Sequence, residues 1–282
     1  MYLAHFGLRE MPFALTPDTA YAFSTRAHQE ALNTLLVAAG GGEGFIKITG
    51  EVGTGKTLLC RRFLRVLGPE FVSCYLPNPN LTPRTLLLSL AEELGGGLSA
   101  SADPFDLHRT LNQRLLHLAA RGKRVIVCVD EAQALALENL EALRLLSNLE
   151  TEKRKLMQVV LFGQPELDAR LQQPELRQLR QRIGFNYTLQ GVSDAELSFY
   201  LEHRLRVAGH IGMPIFSRGA VKQLQKDSRG TPRRVNVLAH KALLTVFGEG
   251  GIFVEARHVR AAASDDGAGF SAAREFFRWR LR

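Results

Sequence analysis

The most constraining feature of this sequence is the stretch Gly-Glu-Val-Gly-Thr-Gly-Lys-Thr at residues 50–57. It matches the phosphate-binding loop pattern G-x-x-x-x-G-K-[ST] at every defined position. The glycines permit left-handed and tightly turned backbone, so that several N–H groups can converge on one anion. Lys56 can reach the β- and γ-phosphates of a nucleotide as a point charge, and the Thr57 hydroxyl can complete the shell of a Mg²⁺ ion.

The flanking sequence supplies the setting that such a loop requires. Residues 45–49 form a short β-rich run before the loop, and residues 58–67 form a helix-compatible run after it. A helix in that position adds its N-terminal dipole to the anion site. We therefore predict that the chain binds a nucleoside triphosphate, taken as ATP, through Gly50, Glu51, Val52, Gly53, Thr54, Gly55, Lys56, Thr57 and Leu58.

Composition limits the remaining classes of protein. The chain has 282 residues, 45% of them apolar, and carries a formal net charge of +8. No apolar run approaches the length that spans a bilayer, and the N-terminus has no signal pattern, so we expect a cytoplasmic protein. Its three cysteines lack C-x-x-C spacing and are expected to be reduced core residues. The basic charge favours polyanionic partners, namely nucleotide, nucleic acid or anionic lipid.

Strands and helices alternate along the first two thirds of the chain. Strand candidates lie at residues 45–49, 71–76, 125–129, 159–162 and 185–189, with helical runs between them, including one from Leu137 to about Glu150. This order predicts an α/β core with a five-stranded parallel sheet. From Ser193 onward the pattern is helical, and Ser193 and Glu196 have capping-box spacing. We expect an α/β core over residues 1–191, a helical domain over 192–263, and a flexible joint with a C-terminal tail over 264–282.

Two acids follow the apolar run Val125–Val129 directly. In parallel α/β sheets ligands lie at the carboxyl ends of strands, so Asp130 and Glu131 are expected beside the phosphate loop. Asp130 would hold Mg²⁺, either directly or through water, and Glu131 would polarise the water that attacks the γ-phosphate. The two motifs together predict hydrolysis as well as binding.

Phosphoryl transfer also needs positive charge on the equatorial oxygens of the transferred group. Two places can supply it. One is Leu179-Arg180-Gln181-Arg182, just before the last expected strand, and the other is Gly230-Thr231-Pro232-Arg233-Arg234, where Pro232 is suited to a helix start. The alternative for each is an ordinary solvated basic helix end.

The order of these four motifs resembles that of the AAA+ ATPases. The resemblance implies that Gly50–Thr57 is Walker A and Val125–Glu131 is Walker B. It implies that Arg180 or Arg182 is an arginine finger that reaches a neighbouring subunit, and that Arg233 is sensor 2 in a helical lid. The active site would then be shared between subunits of a ring, with a hexamer favoured.

A narrower resemblance extends over about residues 1–262. Several segments are similar to those of the ATPases of the general secretion pathway protein A family. They are Phe6-Gly7-Leu8, Pro12-Phe13, Pro17-Asp18, His28, Gly163–Leu167 and Leu176–Ile183. That family implies a role in secretion-channel or pilus assembly at the bacterial inner membrane. The length of this chain is more similar to that of the short ATPases of MSHA-type pilus biogenesis.

One position departs from the AAA+ pattern. Sensor 1, at the end of the fourth core strand, is usually Asn, Ser or Thr in that superfamily, whereas the nearest polar side chain here is Gln164. An amide both accepts and donates hydrogen bonds, so Gln164 can still orient a water molecule. We assign sensor 1 to Gln164 on that basis.

Two aromatic groups have open interpretations. By resemblance, residues 8–15 lie near the adenine base, where Phe13, Tyr21 or Phe23 can stack, although burial in the core is the ordinary role of such residues. The tail 270–282 interleaves aromatics with arginines, which suits an anionic membrane surface, a partner groove or single-stranded nucleic acid. Docking of the tail on its own domain is the alternative.

These predictions leave three functions open. The first is a Mg²⁺-dependent ATP hydrolase that works as a ring in pilus or secretion assembly, peripheral to the inner membrane. The second is an ATPase of DNA transactions, such as a transposition helper or a loader, with DNA as partner. The third is a nucleotide-gated scaffold that hydrolyses little ATP.

Overall fold

A computed structural model describes residues 2–15, 21, 23–77, 81–95, 103–151 and 154–267. By their contacts these residues form two compact units. The first, the α/β unit, comprises His28–Glu51 and Gly55–Leu189. The second, the helical unit, comprises Met1–Ala27, Val52–Thr54 and Gln190–Arg282, as far as they are described.

The five strands of the main sheet begin and end close to where the apolar runs predict them, whereas two short strands at residues 150–151 and 154–155 were not predicted. In chain order they are β1 (Phe45–Thr49), β2 (Phe71–Leu76), β3 (Arg124–Val129), β4 (Glu150–Thr151), β5 (Arg154–Lys155), β6 (Met157–Gly163) and β7 (Ile183–Thr188). The strands β2-β3-β6-β1-β7 form one five-stranded sheet in that order, and every adjacent pair in it is parallel. The predicted five-stranded parallel sheet is confirmed.

The helices of the α/β unit connect these strands. They are α1 (Arg26–Gly41), whose first two residues belong to the helical unit, α2 (Lys56–Val66), α3 (Pro83–Glu93), α4 (Pro104–Ala120), α5 (Leu137–Leu146), α6 (Pro165–Leu171) and α7 (Arg177–Gln181). The central strands β1 and β6 are buried along their whole length, because helices on both faces of a parallel sheet exclude water.

Register places three strand ends side by side. Thr49 of β1 pairs with Gly163 of β6, and Val129 of β3 pairs with Leu161 of β6. We call this row of strand ends the carboxyl edge. The phosphate loop, the Asp130-Glu131 pair and Gln164 all leave the sheet there.

One helix of the α/β unit is shorter than predicted. The expected helix from Leu137 to about Glu150 ends at Leu146, and Glu150–Thr151 instead pair with Arg154–Lys155 as an antiparallel hairpin. The Ser147 hydroxyl donates to the carbonyl of Arg144 at 2.7 Å. Such side-chain bonds to nearby backbone compete with continuation of a helix.

The helical unit contains α8 (Asp194–Val207), α9 (Arg218–Ser228), α10 (Pro232–Glu249) and α11 (Ala256–Gly267). Its predicted capping box is present: Ser193 N and Oγ both donate to the Glu196 carboxylate, at 3.3 and 2.6 Å. Along the chain, the α/β unit ends at Leu189 and the helical unit resumes at Gln190. Helix α11 continues through residues 264–267, which were expected to be a flexible joint, and residues 268–282, with the basic-aromatic tail, lie outside the described part of the chain.

The N-terminal residues up to Ala27 belong to the helical unit, whereas the sequence predicts them as a segment of the α/β core. Phe13 and Tyr21 are buried in the core of that unit, and the ring of Phe13 meets Phe216 edge-on. Arg204 of α8 is 8% exposed, and its Nε donates to the carbonyl of Pro12 at 2.6 Å. Burial in a core is therefore the role that the structure gives to Phe13 and Tyr21.

Among the described residues, no helix has the length and apolarity that crossing a bilayer requires.

Candidate nucleotide-binding and hydrolysis site

The phosphate loop connects β1 to α2 at the carboxyl edge. Gly55, the residue before α2, has φ +94°, a left-handed conformation that glycine adopts without strain. A Cβ at Gly55 would also lie 2.8 Å from Nε2 of His28 on α1. Both the left-handed backbone and the nearby His28 ring therefore require glycine at position 55. The loop leads directly into the 11-residue helix α2, whose N-terminus is suited to bind an anion.

We predict that Gly55→Ala lowers ATP affinity by at least about tenfold. A left-handed alanine and the contact with His28 favour a shifted loop, and restoring the binding geometry would then cost on the order of 1.4 kcal/mol or more. Titration with a fluorescent ATP analogue measures the affinity. Gly122→Ala is the matched control, since Gly122 also has a positive φ of 74° but has open space around its Cβ position. Equal affinities of Gly55→Ala and the unaltered protein would contradict the role assigned to the loop.

Lys56 is held inside the loop. Its side chain is 5% exposed, and Nζ donates to the carbonyls of Gly50 at 2.7 Å and Glu51 at 3.0 Å. Burial lowers the pKa of the ammonium, while the negative charges of Glu131 and Asp130 raise it. An ammonium has three donors, so two hold the loop and the third can bind a phosphate oxygen.

Thr57 and Asp130 provide the chemistry of a magnesium site. The Thr57 hydroxyl donates to Oδ2 of Asp130 at 2.6 Å, and Asp130 is 3% exposed. The Tyr75 hydroxyl donates to the same oxygen at 3.3 Å, and the pKa of Tyr75 is raised by burial and then by the Asp130 charge. A hydroxyl and a carboxylate suit Mg²⁺, which prefers oxygen ligands and is usually shared between one or two carboxylates, phosphates and water.

No cluster of three or more His, Cys, Asp or Glu side chains suited to a metal occurs within the described residues. The donor set at Thr57 and Asp130 fits a metal that the nucleotide itself also ligates. Cys60, Cys74 and Cys128 are free and buried, as the sequence analysis expects.

Glu131 follows β3 in a left-handed conformation, with φ 51° and ψ 39°. Such a conformation is uncommon for a residue other than glycine and is concentrated at functional sites. Its backbone N–H donates to Oδ1 of Asp130 at 3.0 Å, and its Oε2 accepts from Nε2 of Gln164 at 2.9 Å. The residue that the sequence analysis named as sensor 1 therefore contacts the carboxylate named as general base.

Sequence reasoning missed Gln133, which lies in the short 3₁₀ turn Ala132–Ala134 after β3. Its amide nitrogen also donates to Oε2 of Glu131, and its Oε1 accepts from the backbone N–H of Gln164 at 3.0 Å. The one signal in the sequence was a polar residue two positions after the candidate base. His28 has no such signal in the sequence, because its contact with Gly55 joins residues that are distant along the chain.

The two candidate fingers differ in their surroundings. Arg180, in the last turn of α7, is exposed, and its Nη1 donates to Oε1 of Gln172 at 2.6 Å. Arg182 is partly buried, and its positive charge adds to that of Arg144 in lowering the pKa of Glu141. The contacts described for both arginines are therefore with α5, α6 and their surroundings rather than with the phosphate loop.

Arg233 lies in the first turn of α10 and is exposed. Within the helical unit its backbone N–H lies 3.4 Å from the carbonyl oxygen of Gly53, at the tip of the phosphate loop. A Cβ at Gly53, which has φ +82°, would lie 2.4 Å from Cβ of Arg233. The candidate sensor 2 is thus next to the loop tip.

Comparison with known proteins agrees with this arrangement. The AAA domain family matches residues 39–171. General secretion pathway protein A of Aeromonas hydrophila is 44% identical over 250 residues, which cover 89% of this chain and 46% of that protein. The chain thus spans about half the length of this curated relative.

Solved structures share the fold. The Aeropyrum pernix ORC2 protein is 20% identical with a TM-score of 0.63, and the match covers 91% of this chain and 71% of that one. A chain of Drosophila ORC bound to DNA is also 20% identical, with a TM-score of 0.64, over 89% of this chain and 63% of that one. At these identities the likeness shows the fold alone. From the sheet order, the matched AAA domain and the identity to the curated relative together, the chain is an AAA+ ATPase and belongs to the family of general secretion pathway protein A.

Proposed function

We propose that this chain is a Mg²⁺-dependent ATP hydrolase that works as a ring in the assembly of a secretion or type IV, MSHA-like pilus complex at the inner membrane. The observation that carries the catalytic part is the carboxyl edge. There, Lys56 and Thr57 begin the helix that follows β1 and its loop, Asp130 and Glu131 follow β3, and Gln164 follows β6. Hydrogen bonds join Thr57 to Asp130 and Gln164 to Glu131.

In this mechanism the loop N–H groups and Lys56 bind the phosphates, while Thr57 and Asp130 would hold Mg²⁺. When bound, the metal would supply positive charge that offsets the charge developing on the transferred phosphoryl group. Glu131 orients a water molecule and accepts its proton as the oxygen attacks the γ-phosphorus. Gln164 holds the carboxylate in place. The bond between the γ-phosphorus and the β,γ-bridging oxygen breaks, and ADP and phosphate leave.

The ring is supported by the position of Arg180, whose exposed guanidinium lies before β7 without a contact to the loop of its own chain. We propose that Arg180 is the finger that enters a neighbour's site. Arg182 is partly buried, whereas Arg180 is exposed, and the exposed arginine is the better placed of the two to reach another subunit.

The pathway is supported by the curated relative, whose name places it in general secretion. Identity of 44% over 250 residues is carried by nearly the whole of this chain. DNA transactions remain the rival, because the net charge of +8 suits a polyanion.

We predict that chelation of divalent metal with EDTA reduces ATP turnover to background, and that Mg²⁺ restores it. Phosphate release measures turnover. Asp130→Asn should raise the Mg²⁺ concentration needed for half-maximal turnover by at least about tenfold. The amide has no negative charge for the metal, and it accepts a weaker hydrogen bond from the Thr57 hydroxyl than the carboxylate does. Metal-independent turnover would contradict the assignment of Thr57 and Asp130.

Adding duplex DNA to the same assay separates the two pathways. A secretion or pilus ATPase is expected to show less than about twofold stimulation at any salt concentration. Strong stimulation of ATP turnover by DNA that falls steeply as the salt concentration rises would contradict the proposed secretion or pilus role, because phosphate contacts make DNA affinity salt-dependent. A protein that binds ATP but shows no turnover with Mg²⁺ would be the scaffold.

A further inference from the structure

Gln133 closes a ring of hydrogen bonds around the candidate base. Its Nε2 donates to Oε2 of Glu131, and its Oε1 accepts from the backbone N–H of Gln164 at 3.0 Å. The side chain of Gln164 completes the ring with its own donation to Oε2 of Glu131 at 2.9 Å. One side chain thus links the end of β3 to the end of β6.

The backbone of Gln133 is fixed as well. The turn that carries it begins at Glu131, whose carbonyl accepts from Ala134 N at 2.8 Å. The guanidinium of Arg170, on α6, donates to the Gln133 carbonyl. Two hydrogen bonds, one within the turn and one from Arg170, therefore hold the backbone of Gln133 while its side-chain amide faces Glu131. A preorganised catalytic group needs such support.

The two amides act on one oxygen of the carboxylate. Both Gln133 and Gln164 donate to Oε2, so Oε1 is the oxygen that would accept the hydrogen of an attacking water. With a single donor the carboxylate could rotate about its terminal torsion, which is broad for glutamate. Two donors from different strands fix that torsion and with it the direction of Oε1.

We propose that Gln133 is a positioning residue for ATP hydrolysis: it orients the carboxylate of Glu131 and links that orientation to the strand end at Gln164. This inference rests on the proposed role of Glu131 as general base. Gln133 acts through Glu131 and needs no contact with the nucleotide, so its loss should reduce the rate of the chemical step and leave ATP binding intact.

The first test is Gln133→Met, which keeps the length of the side chain and removes both hydrogen bonds. We expect kcat to fall by about 10- to 100-fold, the cost of misplacing a catalytic group, with KM and ATP affinity within about twofold. Gln223→Met is the matched control, because Gln223 lies in the helical unit and donates to Asp227. Its kcat should be unchanged.

A second variant isolates the donor. Gln133→Glu keeps an acceptor for the Gln164 N–H but removes the donation to Glu131 and brings a second negative charge near it. It should lose kcat to at least the same extent. This variant also decides the matter if Gln133→Met fails to fold, as judged by circular dichroism and thermal unfolding.

Energetic coupling between Gln133 and Gln164 in kcat distinguishes a positioning residue from a merely structural one. The double variant Gln133→Met/Gln164→Met should lose far less than the product of the two single losses, because residues that act as a unit are not additive. Full additivity, an unchanged kcat, or a rise in KM alone would overturn the proposal. If Glu131→Gln retains turnover, the proposed function itself is contradicted. If Glu131→Gln is inactive while the Gln133 variants keep full turnover, only the positioning role of Gln133 is contradicted.

Discussion

Glu131→Gln is expected to reduce ATP turnover by at least about 100-fold while ATP affinity stays within a few-fold. The amide has the shape of the carboxylate but cannot accept a proton from the attacking water. The loop, Lys56 and the Thr57–Asp130 pair, which bind the phosphates and the metal, are untouched by the change. The variant should therefore retain ATP rather than release it.

Two measurements on the same sample check this result. Phosphate release gives the turnover, and a fluorescent ATP analogue gives the affinity. Glu138→Gln is the matched control, because it replaces a carboxylate by an amide on the exposed first turn of α5. This control variant should keep full turnover. A Glu131→Gln protein that hydrolyses ATP as fast as the control would contradict a general base at Glu131. Low turnover in both the unaltered protein and the variant would instead identify a scaffold.

The sheet was predictable because its three central strands, β3, β6 and β1, carry the apolar pattern of burial on both faces. Val125–Val129 is a continuous apolar run, and the phosphate loop after residues 45–49 fixes the class of fold around it. The acids after β3 could be placed near the loop from topology alone, since parallel strands end at one edge. For these elements local sequence and tertiary packing favour the same structure.

The remainder depended on contacts between distant residues. Packing of Phe13 and Tyr21 into the helical unit involves α8 and α9–α11, far along the chain, and no local pattern expresses it. Helix α5 ends at Leu146, where the Ser147 hydroxyl donates to the Arg144 carbonyl, and an antiparallel hairpin follows four residues further on. Gln133 was missed because its role requires knowing both the left-handed conformation of Glu131 and the arrival of Gln164 beside it.

Arg180→Ala is expected to reduce turnover by at least about 100-fold without weakening ATP binding, because an arginine finger stabilises charge that develops only in the transition state. Arg182→Ala should cost much less, since Arg182 is partly buried in its own subunit whereas Arg180 is exposed. Arg121→Ala, at the exposed C-terminal cap of α4, is the control for loss of a surface charge. Equal losses for all three variants would remove the distinction between the two candidate fingers.

Mixing variants tests whether the finger acts between subunits. Lys56→Ala has an intact Arg180 and a defective loop, while Arg180→Ala has the reverse. In a randomly mixed ring, about a quarter of the interfaces join an intact loop to an intact finger, provided that each site is built from two subunits in head-to-tail order. A mixture of two nearly inactive proteins should therefore regain a measurable fraction of the turnover, at concentrations where light scattering shows assembly and subunits exchange. If assembly and exchange occur and no activity returns, Arg180 acts within its own chain, and the phosphate loop and its arginine belong to one subunit rather than to two.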